Sequence, residues 1–108
     1  MNTRATAAWV AMLLAGCATP QVVRRIEAAH PGAAYEATTQ GCDPGGVTTR
    51  RFGQDLRLAV LWSRQAVRGA RLLPCEVVID AVTGGTRRPV YRVRWTRDSA
   101  RTEGAMPP

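Results

Sequence analysis

"LLPCEVVIDAVTGGTRRPVYRVRWTR", residues 72–97, decides the fold. Two runs rich in β-branched and aromatic residues flank Gly84-Gly85, the pattern of a β-hairpin. A three-residue turn over Gly84, Gly85 and Thr86 predicts that Cys75, Val77 and Ile79 lie opposite Trp95, Val93 and Tyr91. All six side chains then share the core face. Arg92 and Arg94 take the other face, with Arg87 and Arg88 near the turn. A slip of one residue would reverse this pattern, so the hydrophobic set itself specifies the register.

Upstream, "FGQDLRLAVLWSRQAVRGAR" (52–71) admits two readings. As a helix it puts Leu56, Val60 and Val67 on one side and Arg57, Arg64 and Arg68 on the other, with Gly69 at its end. As a strand it alternates Leu56, Leu58, Val60 and Trp62 with Arg57, Ala59 and Leu61. The helix is preferred, and Trp62 reads as core rather than as a ligand platform. "PQVVRRIEAAH" (20–30) also has helical spacing, with Val22, Val23 and Ile26 on one side, Pro20 at its start and "HPG" at its end. Its arginines, Arg24 and Arg25, could lie against lipid headgroups. "AAYEATTQ" (33–40) reads as a strand and "GCDPGG" (41–46) as a turn. The glycines of that turn lack the lysine and the strand–loop–helix setting of a phosphate-binding loop. The expected fold is therefore α+β: one small domain with a C-terminal antiparallel hairpin or sheet and two short helices. The strand reading of 52–71 would make the chain mostly β.

"IDAVTGG" (79–85) resembles the Asp-Ala-x-Thr-Gly hairpin turn of PepSY-type domains, small envelope modules that bind or inhibit partners. The resemblance covers the turn alone, and no site residue follows from it.

The amino end reads differently. Arg4 precedes "ATAAWVAMLLA", an apolar run too short for a membrane-spanning helix, which needs about 20 residues. It fits a secretory signal peptide, and no twin arginine precedes it. Leu14-Ala15-Gly16-Cys17 then resembles the lipobox of bacterial lipoproteins. The resemblance implies a thioether from Cys17 to a diacylglycerol, cleavage before Cys17, and a further acyl chain on the new amino group. Two or more chains anchor stably, since each buried methylene contributes about 0.8 kcal/mol. Ala18, rather than aspartate, follows the cysteine, which in the enteric sorting rule implies the periplasmic face of the outer membrane, with the inner membrane the lesser alternative. An ordinary signal peptide, or a buried helix with a chance cysteine, is the competing reading. The organisation expected is a signal peptide over 1–16, a lipidated N-terminus and short helix over 17–32, a stapled domain over 33–97 and a disordered tail over 98–108.

With Cys17 assigned to lipid, Cys42 and Cys75 remain of the three cysteines, and the periplasm is oxidising. A Cys42–Cys75 bridge would close a loop of about 34 residues and stabilise the domain by about 3–4 kcal/mol on the chain-entropy model; two unpaired thiols are the alternative. No CxxC spacing occurs and His30 is the single histidine, so no metal site and no cofactor are expected.

The chain carries 15 basic residues against 8 acidic ones, a net charge of +7. Every basic residue is arginine. Arginine-rich codon usage in a GC-rich genome explains this economically; selection for bidentate contacts to phosphate or carboxylate is the functional alternative. Either way the net field draws the domain to anionic lipid, lipopolysaccharide, glycan or nucleic acid. Export disfavours nucleic acid.

Catalytic constellations are missing. Ser63 and Ser99 are the only serines, and neither sits in a nucleophile elbow. The carboxylates Glu27, Glu36, Asp43, Asp55, Glu76, Asp80, Asp98 and Glu103 are few for a basic domain of this size. The expectation is a non-enzymatic, lipid-anchored envelope module that docks on an envelope protein, for example as an accessory to an envelope machine. The alternative is a direct binder of an anionic envelope polymer or lipid through Arg87, Arg88, Arg92 and Arg94, joined by Arg64 and Arg68 from the helix.

Overall fold

A computed structural model describes residues 19–98 and 100–107. In chain order the elements are α1 (Thr19–Ala29), β1 (Ala34–Gln40), β2 (Thr48–Arg51), α2 (Leu56–Arg68), β3 (Cys75–Thr83), β4 (Thr86–Trp95) and β5 (Arg101–Ala105). The strands form one antiparallel sheet in the order β2-β1-β3-β4-β5, and the class is α+β. The apolar leader, the lipobox and Cys17 lie outside the described residues. Among the described residues no helix is long and apolar enough to cross a membrane.

The hairpin reaches its expected register by a different route. Thr83 pairs with Thr86, so the turn has two residues, Gly84 and Gly85, with φ +54° and +86°. Two consecutive positive φ angles match the primed turns whose twist suits a hairpin, and glycine adopts them without steric cost. Cys75, Val77 and Ile79 nonetheless face Trp95, Val93 and Tyr91 as expected. The residue assigned to the turn is found in the strand instead. Pairing shifts between Ile79–Tyr91 and Asp80–Pro89, leaving Val90 as a bulge. The bulge explains why the consecutive residues Val90 and Tyr91 are both buried. It also accommodates Pro89, which has no N–H to give to a ladder and is tolerated at such irregularities.

One face of the sheet carries the core. Tyr35 and Ala37 from β1, Cys75, Val77, Ile79 and Ala81 from β3, and Tyr91 and Val93 from β4 are buried there. Leu56, Ala59, Val60, Ser63 and Val67 of α2 pack onto them, as the helical reading of 52–71 requires. Asp55 caps α2 by accepting the Leu58 N–H at 3.0 Å. Ser63 is fully buried and satisfied, its hydroxyl donating to the Ala59 carbonyl at 2.7 Å. Helix α1 buries Val23 and Ile26 and packs against α2 and β5.

Two polar strands had no apolar pattern to announce them. β2 is exposed throughout and pairs with β1 at the sheet edge. β5 corrects the expected disordered tail over 98–108: Arg101–Ala105 pairs along β4 from Trp95 to Tyr91, and the Met106 N–H donates to the Val90 carbonyl. The packed unit therefore extends beyond 33–97 at both ends, through α1 and β5.

Candidate functional site

The Cys42–Cys75 disulfide is present and joins the loop after β1 to the first residue of β3. Both cysteines are buried. The Cys42 carbonyl accepts the Arg71 and Leu72 N–H groups at 2.9 and 3.3 Å, so backbone bonds hold the loop beside the bridge.

Facing away from the helices, the sheet presents a charged lattice. Strand alternation and register put Glu36 of β1, Glu76 and Asp80 of β3, Arg51 of β2, and Arg87, Arg92 and Arg94 of β4 on this open face. Arg87 bridges two strands, donating to Glu36 at 2.7 Å and to Asp80 at 3.2 Å. These hydrogen bonds raise the affinity of the Arg87 guanidinium for its proton above the ordinary arginine value. Arg51 reaches Glu36 at 3.6 Å and Arg92 reaches Glu76 at 3.6 Å. Acids occupy the two central strands and arginines flank them, so most of this charge is compensated locally.

The opposite side holds a second polar cluster where β5 meets α2. Arg64 donates through Nε to both Glu103 oxygens, at 3.0 and 2.9 Å, and the Tyr91 hydroxyl donates to the same carboxylate. Burial, with the hydrogen bond and the charge of Glu103, pushes the Tyr91 hydroxyl up to about 12. Arg101 lies over the Trp95 ring with its guanidinium carbon 4.7 Å from the centroid.

The six arginines expected to form one binding face are thus divided. Arg87, Arg92 and Arg94 lie on the open face, Arg88 lies opposite Ala81 on the helical side, and Arg64 and Arg68 belong to α2. Arg64, Arg87 and Arg92 hold acidic partners; Arg68, Arg88 and Arg94 form no ion pair among the described residues. Sequence reasoning missed the acids of the open face, although their signal was present. Glu36 alternates with Tyr35 and Ala37, and Glu76 and Asp80 alternate with the core residues of β3, which fixes them on the face of Arg92 and Arg94.

A third feature lies between the helices. Helix α1 supplies Pro20, Val23, Arg24 and Glu27, spread along its length, to an open groove of about 630 Å³. Phe52, Gln54, Asp55 and Arg57, around the start of α2, close its other side. Glu27 and Gln54 continue into a smaller pocket with His30 and Tyr35. Burial and the charge of Glu27 raise the Tyr35 hydroxyl above its ordinary value. Among the described residues no group of three or more His, Cys, Asp or Glu side chains is placed to hold a metal ion.

Site and fold define a small α+β domain stapled by one disulfide. Compared with protein-family models, with curated proteins and with solved structures, the chain finds no significant match.

Proposed function

We propose that the protein is a lipid-anchored lipoprotein of the bacterial cell envelope that acts as a non-enzymatic interaction module. The observation that carries this reading is the Cys42–Cys75 bridge. It pairs two of the three cysteines and leaves Cys17 as the odd one, at the end of an apolar run and within a lipobox-like Leu-Ala-Gly-Cys. A stable structural disulfide favours an oxidising compartment such as the periplasm, and Ala18 favours the outer membrane. The polar chemistry of the open sheet face supports a scaffold role: its carboxylates Glu36, Glu76 and Asp80 are all engaged by arginines of neighbouring strands.

The alternative, a binder of an anionic envelope polymer through an arginine face, draws less support. Half of the arginines nominated for it are already neutralised by carboxylates. The test is the intact mass of the membrane-fraction protein, wild type and Cys17→Ala, without reductant. Residues 17–108 plus acyl chains, less two protons for the bridge, is the expected species. A chain that retains residues 1–16 without acyl groups would remove the anchor and the compartment together. Crosslinking of the anchored protein in cells should then recover a defined envelope protein.

A further inference from the structure

We infer that the outer surface of the helical layer, centred on Leu58 and Leu61 of α2, rests on the anionic phospholipid headgroups of the membrane; this rests on the lipid-anchored reading above. The tether is short. Only Ala18 separates Cys17 from Thr19, where α1 begins. Two residues of chain span at most about 7 Å. A domain anchored at Cys17 therefore starts at the bilayer surface, with no linker to carry it away.

The groove identifies what lies beside that start. Pro20 of α1 and Arg57 of α2 line the same cleft, and the two helices pack against each other. The outer side of α2 is built for an interface with headgroups. Leu58 and Leu61, three residues apart on one face, remain 50% and 45% exposed. Exposed Arg57 and Arg68 bracket them along the helix, and α1 adds exposed Arg24 and Arg25. None of these four arginines forms an ion pair among the described residues. Apolar side chains that enter the headgroup boundary, ringed by arginines that reach phosphates, are what an interfacial helix presents to anionic lipid. Arginine can also lay its methylenes along the apolar zone while its head stays at the phosphates.

The open face of the sheet lacks both features. Its Arg51, Arg87 and Arg92 meet Glu36, Glu76 and Asp80, with Arg94 alone in forming no ion pair among the described residues of that face, and none of the exposed large apolar residues belongs to it. The remaining two, Val47 and Leu72, lie in loops. The two sides of the domain are therefore chemically distinct: a cationic, leucine-bearing side next to the anchor, and a charge-compensated side turned away from it.

The test uses the acylated full chain in vesicles of phosphatidylethanolamine and phosphatidylglycerol. Photoreactive p-benzoylphenylalanine replaces Leu61 on the helical side in one sample and Thr49 on the open sheet face in another. Lipid adducts at position 61 should exceed those at position 49 at least tenfold. Leu61 and Thr49 are exposed, so neither change touches the core. Should the Leu61 variant lose its cooperative unfolding transition, Leu58 gives the same readout. Equal lipid labelling at the two positions, or preference for position 49, overturns the orientation. So does a protein adduct in place of lipid at position 61 when whole envelopes are irradiated. The mass of the unirradiated sample separates the two levels: an acylated chain with even labelling overturns the orientation alone, whereas a chain without acyl groups overturns the anchored reading as well.

Discussion

Gly41 sits where the backbone has φ +73°, and a Cβ built there would lie 2.5 Å from the Pro74 carbonyl oxygen. The two demands act together. Left-handed backbone is costly for alanine, and the obstacle is main chain that the neighbouring disulfide and the Cys42 carbonyl bonds hold in place. Gly41→Ala should therefore cost about 2–4 kcal/mol, read as a lowered urea midpoint. At Gly46, where φ is also positive (+101°) but nothing lies within 4 Å, alanine should cost less. The tyrosines give a second prediction at this scale. Burial first, and Glu103 second, hold the Tyr91 proton up to about 12, whereas an unfolded tyrosine releases it near 10. The folded state then binds the proton more tightly than the unfolded state. This contribution to stability is complete below pH 10 and is lost as pH rises from 10 toward 12. Absorbance at 295 nm should show Tyr91 ionising well above pH 10. Glu103→Gln should lower that midpoint without returning it to 10, because burial remains. A Tyr91 midpoint at 10 in the wild-type chain would contradict the geometry.

At the scale of elements, β5 depends on polar contacts rather than on burial. Its residues are mostly exposed, and Glu103 is the point that joins it to Arg64 of α2 and to Tyr91 of β4. Glu103→Ala should cost about 2 kcal/mol, combining a charged hydrogen bond with a partly exposed bidentate ion pair. Hydrogen exchange should localise the effect: the β4 amides over 91–95 that pair with β5 lose protection, while those of β1 and β3 keep theirs. Uniform loss across the sheet would instead make β5 part of the global unit. The same dependence explains what was legible. β3, β4 and both helices carry hydrophobic spacing, and spacing is what a sequence displays. β2 and β5 pair through main chain and polar side chains at the sheet edges, so no period marks them. The hairpin is an instructive intermediate. Matching the apolar faces of 75–79 and 91–95 identified the partners, since only that register buries them. It could not say where the extra residue sits, because a longer turn and a bulge at Val90 leave those pairs identical. Pro89 was the available clue, a residue that a regular central strand does not accept.

For the molecule as a whole, the sheet buries one face only, and the two helices that cover it belong to a chain of 108 residues. A core of that size leaves a small margin of stability, and a covalent staple then accounts for a large share of it. The side-to-side sorting of charge was out of reach from sequence, since it needs the register of four strands and the packing of α2. The net charge of +7 was visible; its division into a compensated sheet face and a helical side with free arginines was not. The staple was readable by counting cysteines, and it carries the last prediction. The bridge spans 33 positions of sequence. Reducing it, or replacing both cysteines with alanine, frees the unfolded chain and should lower stability by about 3–4 kcal/mol. Two signatures separate this from damage to the native core. The urea midpoint falls and the slope m rises, because an unbridged unfolded chain exposes more surface. The single change Cys75→Ala should cost nearly as much as the double change, since either removes the bridge and the double change deletes only one further buried sulfur. An oxidised and a reduced sample with the same midpoint and the same slope would mean that the bridge does not constrain the unfolded chain, and the stability of the domain would have to come from the sheet and its helices alone.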